Sequence, residues 1–473
     1  MNYWVAGQAA SSGDVVEVRS PHDGALAGTT SWATPEDVER AVAAAHAVAP
    51  EFAVLPAHAR AAALDHVSRR LAERAEEVAQ LITAESGKPV KWSRIEVSRA
   101  VSTFRWAAEE ARRFSGELQR LDTDPAASGR LALVRRAPRG PVLGISPFNF
   151  PLNLVAHKVA PAIALGAPII VKPAPATPLV ALLLGSLLAE TDLPAGSWSV
   201  LPVPNSAAGA LVTDPRLPVV SFTGSGPVGY SILEQVPRKH VVLELGGNAA
   251  AVVCPDWTDL DFAAQRIATF AMYQGGQSCI SVQRVYVHRD VYDAVADGVV
   301  AHVRKLGTGA PQDPATDVGP LINEAAAERV EAWVSEAVAA GARVLTGGTR
   351  EGAVYAPTVL ADVPEGCKVV DEEVFGPVVV LAAVDSVEEA FDRVNASRFG
   401  LQAGLFTHDV RLAFKASARL AVGGVIVGDV PSFRADQMPY GGVKESGTGR
   451  EGVRAAMDDL TEQRVLVLTG LEL

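Results

Sequence analysis

The sequence predicts an α/β protein of two lobes with a small additional β element, and three observations carry that prediction. Strand-like and helix-like stretches alternate from residue 141 to about 246. They alternate again from about 250 to 430, and a helical run rich in Ala, Glu and Arg precedes both. At 473 residues the chain also exceeds one ordinary core, so a division into lobes is expected.

Taken in order, residues 35–118 carry apolar side chains at helical spacing, as in "LDHVSRRLAERAEEVAQLITAE", and read as amphipathic helices. "SGELQRLDTDPAASGRLALVRRAPRG" then sets turn residues between two short alternating stretches, which suits a hairpin projecting from a lobe. From residue 141, "PVLGIS", "PIIVKP", "WSVLPV", "VVSFTGS" and "HVVLEL" read as strands. Helices start at Asn153, Thr177 and Ser206, and another follows "VVSFTGS". This βαβ rhythm predicts a parallel sheet covered by helices. "RVYVHR", "ARVLTGG", "VVVLAAV" and "GGVIVGD" repeat it in the second lobe. The closing "TEQRVLVLTG" is a strand whose exposed edge invites a second subunit.

Composition narrows the function. Hydrophobic residues make up 48% against 20% charged, no apolar run reaches bilayer length, and "MNYWVAGQAA" lacks a basic-then-apolar secretory pattern; a cytoplasmic protein without membrane partners is expected. A formal charge of −12 opposes nonspecific binding to nucleic acid, so an anionic ligand must be drawn by local basic groups. Cys254, Cys279 and Cys367 form no CxxC pair, which suggests neither a disulfide framework nor a zinc site; no metal is expected.

Among the three, Cys279 stands apart. A free cysteine is most often a small buried hydrophobe, but Gly275, Gly276, Gln277 and Ser278 favour an exposed loop where backbone approaches a ligand. A thiol with its ordinary pKa is only about 3% thiolate at pH 7, so it gains from a nearby base. Glu244 in "VVLELGGN" ends an apolar strand at the edge where α/β sheets bind ligands. A competing account comes from "VVSFTGSGPVG": Gly224, Gly226 and Gly229 fit G-x-G-x-x-G, and Glu244 lies 20 residues after Gly224, the spacing for an acid on a ribose hydroxyl. From these residues alone both roles stay open. Asn149 in "GISPFNFP" sits between two phenylalanines near two prolines, held in a loop either to satisfy a turn or to present its amide.

Seven motifs in order, "SPFNFP", "VKPAPATP", "FTGS", "LELGGN", "GQSCI", "EEVFGP" and "PYGGVKESGTGRE", together resemble the aldehyde dehydrogenase superfamily over nearly the whole chain. The resemblance implies a Rossmann-type dinucleotide-binding domain (1–119 and 139–246), a second α/β catalytic domain (247–445) and a small β oligomerisation element (120–138 and 460–473). It implies Cys279 as nucleophile, Glu244 as general base and Asn149 as oxyanion donor, which would place Glu244 in the chemistry and not on the cofactor. The cofactor, NAD or NADP, falls to Ile145, Ser146, Pro147, Phe148, Lys172, Ala174, Pro175, Gly209, Phe222, Gly224, Ser225, Leu245, Gly246, Glu373 and Phe375. NAD-preferring members often carry a glutamate three residues after the lysine; here Pro175 stands there, which leaves the preference open.

At the substrate mouth the same resemblance places Asn153, His157, Tyr273, Ser278, Ile280, Arg434, Tyr440 and Arg105. Asn153 and His157 share a helix face. Arg105 and Arg434 are read either as pairing with Glu109 and Asp436, or as gripping a phosphonate, phosphate, sulfonate or carboxylate on a short aldehyde. "PLNLVAHKVAP" with "PSFRADQMPYGGVKESGTGRE" looks most like the branch of phosphonoacetaldehyde and lactaldehyde dehydrogenases. Some anion-binding relatives carry arginine directly before the nucleophile; Ser278 stands there, which weakens the phosphonate and phosphate cases. The expectation is an NAD(P)-dependent oxidation of a small polar or anionic aldehyde to its acid, in a homodimer or homotetramer. Acyl transfer to coenzyme A and a non-catalytic binding protein on the same scaffold are the alternatives.

Overall fold

A computed structural model describes residues 1–472. Its first sheet holds the five expected parallel strands in the order Trp198–Val200, Ile169–Lys172, Val142–Ile145, Val219–Thr223, His240–Glu244. The chain steps outward from Val142–Ile145 in one direction and then crosses to its other side. That reversal leaves a crevice at the carboxyl ends of Val142–Ile145 and Val219–Thr223, where α/β sheets take ligands.

Two short strands near the amino terminus, Tyr3–Val5 and Gln8–Ala10, extend one edge antiparallel. At the other edge Gly447–Thr448 pairs antiparallel with Leu243–Glu244, so "PYGGVKESGTGRE" is stitched directly to Glu244. The second sheet runs Arg343–Thr346, Thr358–Ala361, Val378–Val384, Arg284–His288, Ala250–Val253, Gln402–Phe406, Gly424–Val427, parallel except for the first strand.

Helix burial follows composition. Asn153–Leu165 is buried along its entire length, and Leu179–Leu188 along nearly all of it: the second is almost wholly apolar, and Asn153, His157 and Lys158 of the first find polar partners inside the protein. Such helices lack room for ordinary caps, and distant carboxylates supply them. Glu96, on the long helix Val90–Arg113, accepts from the Leu152 and Asn153 N–H groups at 2.9 and 3.0 Å. Glu85 accepts from those of Leu179 and Val180 at 2.7 and 3.1 Å. The Glu96 contacts fix the loop that carries Asn149.

The hairpin Glu117–Arg120/Arg130–Pro138 and the tail strand Thr461–Thr469 join in one three-stranded antiparallel sheet. Val465, Leu466, Val467 and Leu468 remain exposed on it. Among the described residues no helix is long and apolar enough to cross a membrane.

Candidate active site

A cleft of about 1560 Å³ runs between the two large sheets, more than the several hundred Å³ a small ligand needs. Cys279, Glu244 and Asn149 all line it, with every expected cofactor residue from Ile145 to Phe375.

The approach to the nucleophile is an unusual piece of backbone. Gln274, Gly275 and Gly276 have φ of 55°, 65° and 70°, three successive left-handed residues after the helix Leu260–Met272. A Cβ on Gly276 would collide with the Gly376 carbonyl. The glycine therefore makes room for the Gly376–Pro377 backbone, and not, as its position suggested, for a ligand. Gln274 amide contacts on the Asn149 and Gln277 carbonyls tie this loop to the asparagine loop. Asn149 Nδ2 donates to the Gln277 carbonyl at 3.0 Å, which holds its amide beside the cysteine segment.

Cys279 is half-buried, with its sulfur 2.9 Å from the Tyr440 hydroxyl. Burial pushes its thiol up to about 12. Both oxygens of Glu244 are buried without a partner. Burial first, and then the neighbouring Glu451 charge, push its pKa well above the usual carboxylate range, against the pull of Arg434 and Lys158. The Glu244 charge is among those that raise the Cys279 thiol further, after that of Glu373.

The structure sorts the expected mouth residues. Asn153, Tyr273, Ser278, Ile280, Arg434 and Tyr440 line the cleft. Tyr273 packs edge-on against Trp92 with ring centres 4.8 Å apart. Arg105 does not reach the cleft: it falls on the exposed stripe of its helix, over Trp106 at 5.0 Å. The arginine this helix offers the cleft is Arg99, which the sequence reading passed over. Arg99 shares a helix edge with buried Glu96 and Thr103, a spacing that would have distinguished it.

His157 is also corrected. It is fully enclosed behind the cleft, with Nε2 3.1 Å from Asp436 Oδ1. Burial and then the Arg434 charge hold it below its ordinary pKa despite Asp436, so it is neutral. Asp436 also accepts from Arg99 at 3.0 Å and from Asn153 at 3.4 Å. Arg434 pairs with Glu451 at 3.0 Å, and not with Asp436 as its sequence neighbourhood suggested. Its side chain is 6% exposed, its guanidinium lies 3.9 Å from the Tyr440 ring centre, and its Nε is buried with no partner. Glu451 and Lys158, 3.4 Å apart, complete a buried charge cluster absent from the sequence reading.

At the far end, Lys172 Nζ donates to Asn205 Oδ1 at 2.9 Å, and burial lowers its pKa to about 8. Ser225 precedes the first turn of Gly226–Gln235, where free N–H groups suit a pyrophosphate. Glu373 accepts from the Gly247 N–H at 3.0 Å, and burial raises its carboxyl to about 7. The buried Ser146 hydroxyl has no partner. These donors and acceptors fit a dinucleotide.

Parallel sheets with a switch-point crevice on one wall and a cysteine on the other define a nucleotide-dependent oxidoreductase. The chain belongs to the aldehyde dehydrogenase family, whose pattern it matches over residues 4–466. It is 42% identical over 467 residues to the 3-sulfolactaldehyde dehydrogenase of Priestia aryabhattai, covering 98% of this chain and 97% of that one. Aldehyde dehydrogenase 21 from Physcomitrella patens, solved in complex with the reaction product succinate, superposes with a TM-score of 0.98 at 46% identity, covering 100% of this chain and 98% of that one. The NADP-dependent glyceraldehyde-3-phosphate dehydrogenase of Bacillus halodurans C-125, complexed with NADP, gives 0.95 at 34% identity, covering 99% of both. Family membership and fold bear out the expected class, an NAD(P)-dependent aldehyde dehydrogenase.

Proposed function

We propose that this enzyme oxidises a short aldehyde with an anionic tail to the carboxylic acid, with Cys279 as nucleophile. The carrying observation is a cleft-facing sulfur grouped with a buried carboxylate that has no partner of its own. Glu244 takes the thiol proton, and the thiolate adds to the aldehyde carbon. Charge then develops on the former carbonyl oxygen, where the Asn149 amide and the Cys279 N–H are the donors. Lys172, Ser225 and Glu373 would hold the dinucleotide, which when bound would accept the hydride that leaves the thiohemiacetal carbon as it becomes a thioester. After giving the thiol proton up to solvent, Glu244 takes a proton from water as its oxygen adds to the thioester carbon, and the re-forming carbonyl expels the Cys279 thiolate and releases the acid.

The anionic tail rests on Arg99 and Arg434, both on the cleft, and on the unpartnered Arg434 Nε. Each arginine already has a carboxylate partner, so the mouth suits a singly charged sulfonate or carboxylate over a dianion. The named substrate of the Priestia relative and the succinate held by the Physcomitrella enzyme both carry such a group. The exposed strand Thr461–Thr469 would join a second copy in a homodimer or homotetramer.

Cys279→Ala tests the mechanism. NAD(P)H formation with a sulfonated or carboxylated short aldehyde is expected to vanish, and substantial residual turnover would overturn it. Free acid is the expected product even with coenzyme A present.

A further inference from the structure

Tyr440 is 4% exposed and packs with Ile280 and Leu401 around the Cys279 side chain. A phenylalanine would fill that space. What the tyrosine adds is a hydroxyl 2.9 Å from the Cys279 sulfur, in a place where a hydroxyl without a partner is destabilising. The opposite side of the ring system is also specified: the Arg434 guanidinium sits 3.9 Å from the ring centre, held there by Glu451. Glu451 is itself fixed by Lys158, which bonds the Ser221 and Thr223 hydroxyls at 3.0 and 2.7 Å. A cation over a ring makes its hydroxyl a stronger donor.

Resting on the proposed nucleophile, we propose that Tyr440 is a further catalytic residue: its hydroxyl donates to the Cys279 thiolate, and Arg434 is the positioning residue that strengthens the donor. The direction of the bond follows from proton counting. A thiol and a phenol can each donate to the other. Once the thiol proton has passed to Glu244, the sulfur has none left, and only Tyr440 can donate. The tyrosine keeps its proton throughout. When a sulfur lone pair forms the S–C bond, the carbonyl π pair moves to oxygen, and the weakened hydrogen bond releases the hydroxyl.

The surrounding charges agree with this assignment. Burial dominates the rise of the Cys279 thiol; the Tyr440 bond is the largest pull against it, with Arg434 adding to that pull, while Glu373 and Glu244 push with burial. Burial and then the Cys279 charge hold Tyr440 itself far above its ordinary range, with Glu244 adding and Arg434 opposing. The phenol therefore stays protonated and available.

The test is the pH dependence of iodoacetamide alkylation at Cys279, read by peptide mass spectrometry in wild type, Tyr440→Phe and Arg434→Lys. Below its inflection the rate tracks the thiolate fraction. Tyr440→Phe is expected to displace the profile upward and slow alkylation roughly 10-fold or more at a given pH, the loss of one hydrogen bond to a charged group. Arg434→Lys should displace it in the same direction by less. A Tyr440→Phe profile that superimposes on wild type, or moves down, overturns the proposal; an unmoved Arg434→Lys profile removes Arg434 from it. Cofactor binding and melting temperature in the same variants separate these outcomes from misfolding. If Cys279→Ala kept its turnover while the alkylation profile still depended on Tyr440, the nucleophile assignment would fail and this hydrogen bond would stand.

Discussion

The two ends of the cleft are built on different principles. At the nucleotide end the sheet turns present backbone and isolated side chains, as in Lys172 on Asn205 and Glu373 on the Gly247 N–H. At the aldehyde end Lys158, Glu244, Arg434, Asp436 and Glu451 are buried within one cluster, with Arg99 at its rim. Burying charges is costly unless each is paired. Density of buried charge therefore marks the end where selectivity and proton movement are concentrated. Substitutions at the aldehyde end should be large and substrate-selective, whereas those at the nucleotide end should be smaller and read in cofactor affinity.

After the loss of the nucleophile itself, the largest effect is expected at Glu244. Its folded pKa is raised, so it holds its proton as pH rises through the ordinary carboxylate range and becomes a base only well above it. The kcat/KM profile should therefore climb with pH, with an inflection well above 4.5. Glu244→Gln should lower kcat by about 10²–10⁴-fold and abolish that ascending limb. A variant that keeps the limb assigns it to another group and breaks the pairing of Glu244 with Cys279.

Next come the arginines of the mouth. Arg434 is a poor first probe, since removing it leaves Glu451 buried without one of its partners. Arg99 is 23% exposed and leaves Asp436 with His157 and Asn153, so Arg99→Ala should fold. It should cut kcat/KM about 10- to 150-fold for a short aldehyde sulfonate or carboxylate, and change a neutral aldehyde of equal length little. Equal losses on both would remove the anion grip.

At the nucleotide end, Lys172→Ala should raise the dissociation constant of NAD or NADP about 10-fold, at the lower edge for a charged hydrogen bond because Lys172 is spent partly on Asn205. The KM of the aldehyde should not change. A shift in aldehyde KM matching the cofactor shift would show that the two ends are not independent.

These contrasts also explain what the sequence could reveal. Alternating apolar stretches gave both sheets, because parallel strands buried on two faces leave long apolar signatures. Cys279, Glu244 and Asn149 were legible because each lies in a short motif with little freedom. Tyr3–Val5 and Gln8–Ala10 were missed because three-residue strands, one largely exposed, carry almost no periodic signal. The Lys158–Glu451 pair joins residues 293 apart, and no local pattern announces such a contact. His157 shares a helix face with Asn153, but that helix is enclosed all round, so a shared face did not mean a shared cleft.

The smallest effect should fall on Arg105. It and Arg99 lie six residues apart on one helix, about 1.7 turns, which swings their side chains to different faces. Arg105 joins Arg94, Ser98 and Glu109 on the exposed stripe, with its guanidinium over Trp106 at 5.0 Å. An exposed stack of this kind contributes about 0.5–1 kcal/mol to stability and nothing to the chemistry. Arg105→Ala should lower the melting temperature by a few degrees at most and leave kcat/KM within about 2-fold for anionic and neutral aldehydes alike. If Arg105→Ala instead lost the anionic aldehyde selectively while Arg99→Ala did not, the helix would present its other face to substrate in solution, and the mouth drawn around Arg99 would have to be redrawn.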